Sequence, residues 1–424
     1  MGRRNKQRKN AAMLDSDDDI SSVSSSSSLA RSDRMSASGV ETYADDFQFE
    51  KDSMLEQALD ALYEKRASTR EKALASIIEA FSSSLQYQFI EKNFLTLLHQ
   101  CLNCVKKGSS KEVTLACHSI GLLALTVGHG DNAREMVIES VTPLTQALKT
   151  TSDPSRITAL VECLAILNFV GDNDTIETDQ SMQSMWHILR PKLGSNVVLV
   201  KPSNAVIVAV VSSWVLLLTS MGESSTGSTW QEVLSFFSNL LEKDDRSCRI
   251  AAGEALAVIS EMGYLQNAPQ HSKILSQVAA LAAEAGGKGS AKKDLTNQRS
   301  FFKDVLEFLE SDCPPEVTVK VGGDSHCVST WRHLTQLNFL KRFLGSGFVK
   351  HVQENEFIQD LFGFESKKRV GRGGELGSVK QRSPYAAMSK ARTQHLNKQR
   401  MLSEGINIGH FAVNSRDDDS FDCR

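Results

Sequence analysis

Residues 246–263 read RSCRIAAGEALAVISEMG, and this stretch decides the fold class. Its apolar side chains recur at spacings of three and four residues, which places them on one face of a helix: Ala251, Ala255, Val258, Ile259 and Met262. The small residues 251–253 allow a neighbouring helix to approach closely. Asp245 or Ser247 is expected to cap the start of this helix, and Gly263 to end it. One such helix cannot bury its apolar face alone, so the sequence predicts similar helices on either side.

Five segments rich in small and apolar residues recur along the chain. They begin at Ala73, Ala116, Ala159, Ala205 and Ala251, at steps of 43, 43, 46 and 46 residues. HEAT and armadillo repeats have a period of about 40–47 residues. Amphipathic segments, for example 93–106 and 230–241, precede them and supply a partner helix. We therefore predict an all-α fold, a HEAT/armadillo-like α-solenoid over residues 51–311. The alternative is an irregular all-α domain.

The composition indicates a soluble intracellular protein. Most of the 8 cysteines lie in apolar segments, which is typical of small buried side chains in a reducing compartment. The basic start MGRRNKQRKN is not followed by the apolar core of a signal peptide. The most apolar run, 205–218, is too short to span a bilayer. We expect no membrane association, and a location in the cytoplasm and nucleus.

The chain begins and ends with segments that are expected to be disordered. Residues 1–50 combine a basic decapeptide, an acidic cluster and a serine run, and contain little that could offset the entropy of ordering. The decapeptide is either a nuclear-import or RNA-contacting arm or a solvated tail. Residues 366–424 form a basic tail that ends in an acidic stretch.

A small C-terminal capping module is predicted over residues 312–365. The alternating segment 316–321 and a glycine turn indicate a β-hairpin. Two helices are expected to follow, over 330–344 and 349–362, and we expect the module to close the exposed end of the solenoid.

The basic tail is the best candidate for a binding element. Residues 367–400 carry ten basic residues and one acidic residue, a net charge of +9. Ser383 and Pro384 predict the start of a helix over 383–403. Its charge is spread around the helix, which suits an RNA channel lined with phosphates; the alternative is a solvated tail. The predicted RNA-contacting residues are Lys367, Lys368, Arg369, Arg372, Lys380, Arg382, Lys390, Arg392, Lys398 and Arg400.

The motifs of common enzymes are absent from the sequence. It has no GxSxG, HExxH or Walker loop. Cys101 and Cys104 form one CxxC beside His99, but no second pair completes a zinc site. We predict no catalytic residues, metal, cofactor or small-molecule substrate.

Four segments in order resemble the interferon-related developmental regulator family. They are RIAAGEALAVISE (249–261), QRSFFKDVLEFLE (298–310), LGSGFVKHVQENEFIQDLF (344–362) and YAAMSKARTQHLNKQR (385–400). Lys390, Ala391, Arg392 and Thr393 match the KART core of the family's basic terminal helix. The chain departs from the pattern after Arg400, where it continues with an acidic stretch.

The resemblance implies a regulator of gene expression with one of two activities. In the first, which the basic tail favours, the protein binds ribosomes and its terminal helix blocks an RNA channel. In the second, the solenoid is a nuclear scaffold that bridges transcription regulators and histone deacetylase complexes. A generic adaptor with a merely solubilising tail is a third interpretation.

Overall fold

The computed structural model describes residues 53–171, 175–190, 201–221, 230–284, 290–321 and 324–364. Residues 53–61 form the described part of α1. The repeat helices that follow are α2 (Ala67–Ser83), α3 (Tyr87–Lys107), α4 (Ser110–Val127), α5 (Asp131–Thr150), α6 (Pro154–Val170), α7 (Thr175–Leu189), α8 (Asn204–Ser220), α9 (Trp230–Leu241), α10 (Arg246–Glu261), α11 (His271–Ala283) and α12 (Ser290–Ser311).

The repeat helices pack in two rows. The even-numbered helices from α2 to α12 pack each on the next, and we call them the inner row. The odd-numbered helices α3, α5, α7, α9 and α11 form the outer row, and each packs on the inner helix that follows it. All five predicted anchors, from Ala73 to Ala251, fall in inner-row helices. The predicted α-solenoid is confirmed.

Helix α10 shows why small residues are needed where two inner-row helices pack closely. A Cβ atom on Gly253 would lie 2.8 Å from Phe302 and 2.9 Å from Phe301, both on α12. The absence of a side chain at this position therefore allows the aromatic pair of α12 to approach. The helix is buried on more sides than its predicted apolar face, because Ala252, Leu256 and Ala257 are also fully buried.

Four inner-row helices begin with a side-chain cap. The carboxylate of Asp245 accepts a hydrogen bond from the backbone N–H of Cys248 at 2.9 Å, so Asp245 is the cap of α10. Asp153 caps α6 and Ser203 caps α8. For α4 the cap is Ser109, which forms a capping box with Glu112.

The C-terminal module contains the predicted hairpin. Strands β1 (Val317–Val321) and β2 (Asp324–Val328) pair antiparallel, with Val317 opposite Val328. Helix α13 (Trp331–Leu344) follows, then a 3₁₀ turn (Gly345–Gly347). The predicted single last helix is wrong: it is broken at Asn355 into α14 (Phe348–Glu354) and α15 (Glu356–Phe362). The Asn355 side chain caps α15 by accepting from the N–H of Ile358 at 3.4 Å.

Within the described ranges, no helix combines the length and apolarity needed to cross a membrane.

The cap of α10 gives a test of the repeat structure. Asp245→Ala should lower the free energy of unfolding by about 1 kcal/mol, because the N–H of Cys248 loses its acceptor. Ser247→Ala is the matched control, since Ser247 lies in the first turn but is not the cap. Urea denaturation measures both variants. A larger loss for Ser247→Ala would contradict the assignment of the cap.

Candidate functional site: the C-terminal module on the inner row

The ten predicted RNA-contacting residues lie outside the described part of the chain, which ends at Phe364. They are Lys367, Lys368, Arg369, Arg372, Lys380, Arg382, Lys390, Arg392, Lys398 and Arg400, and their role stays a prediction. The helix predicted over 383–403 and the two termini predicted to be disordered also lie outside the described residues. The module from which the tail extends is described.

The module begins at a carboxylate of the inner row. The two oxygens of Glu261, at the end of α10, accept hydrogen bonds from the backbone N–H groups of Trp331 and Arg332 at 2.9 and 2.8 Å. These N–H groups belong to the first turn of α13 and have no partner within the helix. The Trp331 ring packs against Phe301 and Phe308 of α12. The start of α13 is therefore fixed by residues of two inner-row helices.

Helix α13 then crosses the inner row with polar contacts. Its Asn338 donates to Glu254 of α10 at 3.2 Å, and Gln336 donates to Thr219 of α8 at 3.0 Å. Arg342 lies 3.6 Å from Glu162 of α6 and also donates to Ser212 at 3.4 Å. Burial raises the pKa of the Glu254 carboxyl, and the Asn338 hydrogen bond partly opposes this shift.

The C-terminal end of α13 packs against α4 at Gly121, where α4 has no side chain. A Cβ atom on Gly121 would lie 2.5 Å from the tip of the Phe343 ring, so this glycine makes room for the ring. The His118 ring lies beside it, with 4.5 Å between the two ring centroids. Burial lowers the pKa of His118, which keeps the imidazole neutral against the aromatic ring.

The segment that follows α13 contacts the first inner-row helices, α2 and α4. Gly347 approaches the backbone of Ser82, where an added Cβ atom would lie 2.9 Å from the carbonyl oxygen. The Nε2 atom of His351 lies 2.9 Å from the carbonyl oxygen of Phe81, the last buried residue of α2. A carbonyl only accepts, so Nε2 carries the proton and donates. Asn355 donates to the carbonyl oxygen of Leu125 at 2.8 Å.

Aromatic contacts fix the last helix of the module. Phe357 packs edge-on against His129 at 4.6 Å and Phe169 at 6.1 Å, between the ends of α4 and α6. Gly363 ends α15 in the left-handed conformation, with φ of 66°. The buried Phe364 then packs on His326 of β2 at 4.4 Å. The described chain thus ends at an anchored residue.

The module has a different placement from the one predicted. It was expected to close the exposed end of the solenoid, but it contacts α12, α10, α8, α6, α4 and α2 in turn. The physical reason is that inner-row helices such as α6 and α8 are apolar nearly all round. The outer row covers one side of them, and the module covers another. Much of the inner row is therefore unavailable to a partner while the module is in place.

The residues that hold the module escaped the sequence analysis, although two signals were present. The apolar run over 205–218 leaves no polar face for solvent, which indicates burial on more than one side. Gly121 lies in the apolar second half of α4, and a glycine inside a helix is typical of close approach by another group. Glu261, His351 and Asn355 have no distinctive spacing, because their partners are backbone groups far away in the sequence.

Metal-binding side chains and cysteine thiols are both singled out by the sequence, through His99, Cys101 and Cys104. The described residues contain no group of three or more His, Cys, Asp or Glu side chains able to hold a metal ion. Burial raises the pKa of the Cys104 thiol to about 11, and raises those of Cys101 and Cys163 strongly. These thiols are protonated at neutral pH and therefore poor nucleophiles.

The fold defines a class of protein: an α-solenoid whose own C-terminal module lies across its inner row. The sequence profile described as "Interferon-related developmental regulator" matches residues 20–310, and that described as "Interferon-related protein conserved region" matches residues 355–404. The chain belongs to the interferon-related developmental regulator family.

Individual relatives agree with this assignment. Interferon-related developmental regulator 1 of Sus scrofa is 30% identical over 319 residues, which cover 73% of this chain and 70% of the relative. The Homo sapiens protein of the same name is 28% identical over the same length and the same shares of each chain. Interferon-related developmental regulator 2 of Mus musculus is 30% identical over 318 residues, 72% of this chain and 71% of the relative.

Among solved structures, an archaeal HEAT-like repeats protein from Thermococcus onnurineus NA1 aligns with a TM-score of 0.40 and 16% identity. The alignment covers 61% of this chain and 93% of that chain.

The fit of Phe343 against α4 can be tested by a double-mutant cycle. Gly121→Ala should destabilise the protein by about 1 kcal/mol, because overpacking at Phe343 outweighs the helix propensity gained. In a Phe343→Leu background, which lacks the ring tip, the same change should be neutral or stabilising. Thermal or urea unfolding of the wild type, the two single variants and the double variant gives the coupling free energy between the two positions. Equal effects of Gly121→Ala in both backgrounds would contradict the contact.

The buried environment of His351 predicts that the free energy of unfolding depends on pH. Burial lowers its pKa, and the hydrogen bond to Phe81 and the charge of Glu354 only partly oppose this. Its Nδ1 atom faces the donating Nδ2 atom of Asn355 at 3.3 Å, so a second proton has no acceptor. The unfolded chain then binds the proton more tightly, and the stability contributed by His351 is lost as the pH falls below about 6.5.

The measurement is the free energy of unfolding between about pH 7.5 and 5.5. His351→Gln should weaken the loss of stability on acidification, whereas His187→Gln, at an exposed position on α7, should leave it unchanged. An equal loss in the wild type and in His351→Gln would show that His351 does not titrate in this range.

Proposed function

We propose that this chain is a non-enzymatic regulator of gene expression that binds ribosomes and represses translation. In this proposal the basic segment 383–403 occupies an RNA channel, and the solenoid docks on the ribosome. Lys390, Arg392, Lys398 and Arg400 contact phosphates. The net charge of +9 over residues 367–400 favours a polyanionic partner, which in this proposal is ribosomal RNA.

One observation carries the proposal: the basic tail follows directly from an anchored residue. Phe364 is buried against His326 and Phe362, and Lys367 comes three residues later. The module holds that point of departure against the inner row. The anchor keeps the start of the tail next to the solenoid, so docking of the solenoid raises the effective concentration of the tail at a nearby RNA site.

A second candidate is a nuclear co-regulator that recruits transcription regulators and histone deacetylase complexes through the solenoid surface. The outer row supports it, because a groove between α5 and α7 offers several hydrogen-bonding side chains suited to an extended peptide, next to the cation Lys149 and a few apolar residues. The hydrogen-bonding residues are Thr142, Thr145, Gln146, Gln180, Gln183 and Ser184. The coverage of the inner row argues against a partner there. The two functions together require a protein present in both cytoplasm and nucleus.

Sedimentation of a cell lysate on a sucrose gradient tests the proposal. The full-length protein should travel with ribosomes at moderate salt, and a Lys390→Glu, Arg392→Glu variant should shift to the top fractions, because phosphate contacts become repulsive. Lys303→Glu with Lys341→Glu is the matched control, since both lysines are exposed on the described fold and neither belongs to the tail sequence.

Either of two results would contradict the proposal. One is a wild-type protein that stays at the top of the gradient. The other is a tail variant that sediments with ribosomes as the wild type does. In both cases the nuclear scaffold becomes the better account, and a chain ending at Ser366 should then retain its protein partner.

A further inference from the structure

The turns of the solenoid differ in charge according to the edge on which they lie. Turns that lead from an outer-row helix into an inner-row helix carry nine basic and four acidic residues over 106–111, 149–156, 201–204 and 242–249. We call these four segments the N-cap edge, because they contain the caps of α4, α6, α8 and α10. The basic residues are Lys106, Lys107, Lys111, Lys149, Arg156, Lys201, Lys243, Arg246 and Arg249.

Contacts between successive repeats join two of the three pairs of neighbouring turns in the N-cap edge. The Ser110 hydroxyl hydrogen-bonds to the Asp153 carboxylate, which joins the turns before α4 and α6. Farther along, the backbone oxygen of Asn204 lies 3.8 Å from the Cys248 sulfur, and its side-chain oxygen lies 3.4 Å from the Lys243 ammonium. These contacts join the turns before α8 and α10.

The turns that return from the inner row to the outer row lack this excess of basic residues. Between the helices, their described residues 84–86, 128–130, 171, 221 and 262–270 include no Lys or Arg, and the first four residues of the outer-row helices that follow add only Arg134 and Lys273. The asymmetry therefore belongs to the edge and does not reflect a general excess of basic residues, because the whole chain has a formal net charge of −3.

Helix stability explains only part of this pattern. Lys106, Lys107 and Lys149 end outer-row helices, where the helix dipole favours cations. Lys111, Arg156 and Arg246 lie in the first turn of inner-row helices, where the dipole disfavours them. Lys106, Lys107, Lys149 and Lys201 are exposed, and none has an ion pair to another described residue. Exposed cations beside helix N-termini concentrate positive potential, which attracts an anion.

We propose that the N-cap edge binds the phosphate backbone of double-helical RNA without regard to sequence. The four turns contain no Phe, Tyr or Trp, so they lack the stacking platforms with which proteins hold single-stranded bases. Cations repeated once per repeat instead match the repeated phosphates of a helix, which is recognised by shape and charge. The inference deepens the proposed function and rests on RNA as the partner, but it assigns a second surface, distinct from the tail.

Binding of the full-length protein to a labelled RNA duplex of about 20 base pairs tests the inference. Fluorescence anisotropy gives the affinity between about 50 and 200 mM KCl. The variant Lys106→Gln, Lys107→Gln, Lys149→Gln should bind roughly tenfold more weakly at the lowest salt, and its salt slope should be smaller by about 2 to 3. A variant with Arg at the same three positions should bind as the wild type does.

The matched control removes the same charge elsewhere. Lys92→Gln, Lys303→Gln, Lys341→Gln changes three exposed lysines of α3, α12 and α13 that lie outside the N-cap edge, and it should leave binding unchanged. Equal losses in the two variants would overturn the inference, because the effect would then be one of net charge. An edge variant that keeps the duplex but loses poly-glutamate would also overturn it and identify a surface for acidic proteins.

The inference and the proposed function can fail separately. If Lys390→Glu with Arg392→Glu abolishes ribosome association while the edge variant binds the duplex normally, the tail proposal stands and the edge inference is wrong. If the edge variant loses the duplex while the tail variant still sediments with ribosomes, the edge inference stands and the tail proposal is wrong.

Discussion

Burial of the inner-row helices on more than one side is the constraint on which the rest of the structure depends. Helices α6 and α8 carry apolar residues around almost their whole circumference, and α10 is buried far beyond its predicted stripe. In a two-row solenoid, the neighbouring inner helices and the outer row still leave one face of such a helix uncovered. The C-terminal module supplies a further cover, and its contacts with six inner-row helices follow from that need.

The position of the module depends on polar contacts and on glycines that allow close approach, as well as on the burial of apolar surface. Glu261 accepts from the two N–H groups that open α13, and Asn355 and His351 bind backbone oxygens of α4 and α2. Each of these bonds satisfies a buried group that would otherwise be unpaired, so a shift of the module by one helical turn would leave several groups without partners. Gly121 and Gly347 also constrain the position of the module, because their lack of a side chain allows Phe343 and the backbone of Ser82 to approach closely.

Much of the fold could be predicted from local patterns in the sequence. The anchors beginning at Ala116 and Ala251, the cap Asp245 and the hairpin over 316–321 all depend on periodicity or turn chemistry within one short segment. The position of the module did not follow, because it depends on pairs such as His351 and the Phe81 carbonyl, which are 270 residues apart. The break at Asn355 has the same origin, since its amide is recruited by Leu125 of α4. The prediction of the RNA-contacting residues depends on charge alone. Charge indicates the kind of partner but does not show where each residue lies or which phosphate it contacts.

The contact between His351 and Phe81 also bears on how the protein is made. Repeat proteins usually form contacts between neighbouring repeats only, so early repeats can complete their structure during synthesis. Here the first repeat receives its last contacts from a segment 270 residues later. At a ribosomal rate of about 5–20 residues per second, this separation corresponds to roughly 15–50 seconds. During that interval the nascent inner row exposes apolar surface, which makes the growing chain a substrate for chaperones until α13 to α15 emerge.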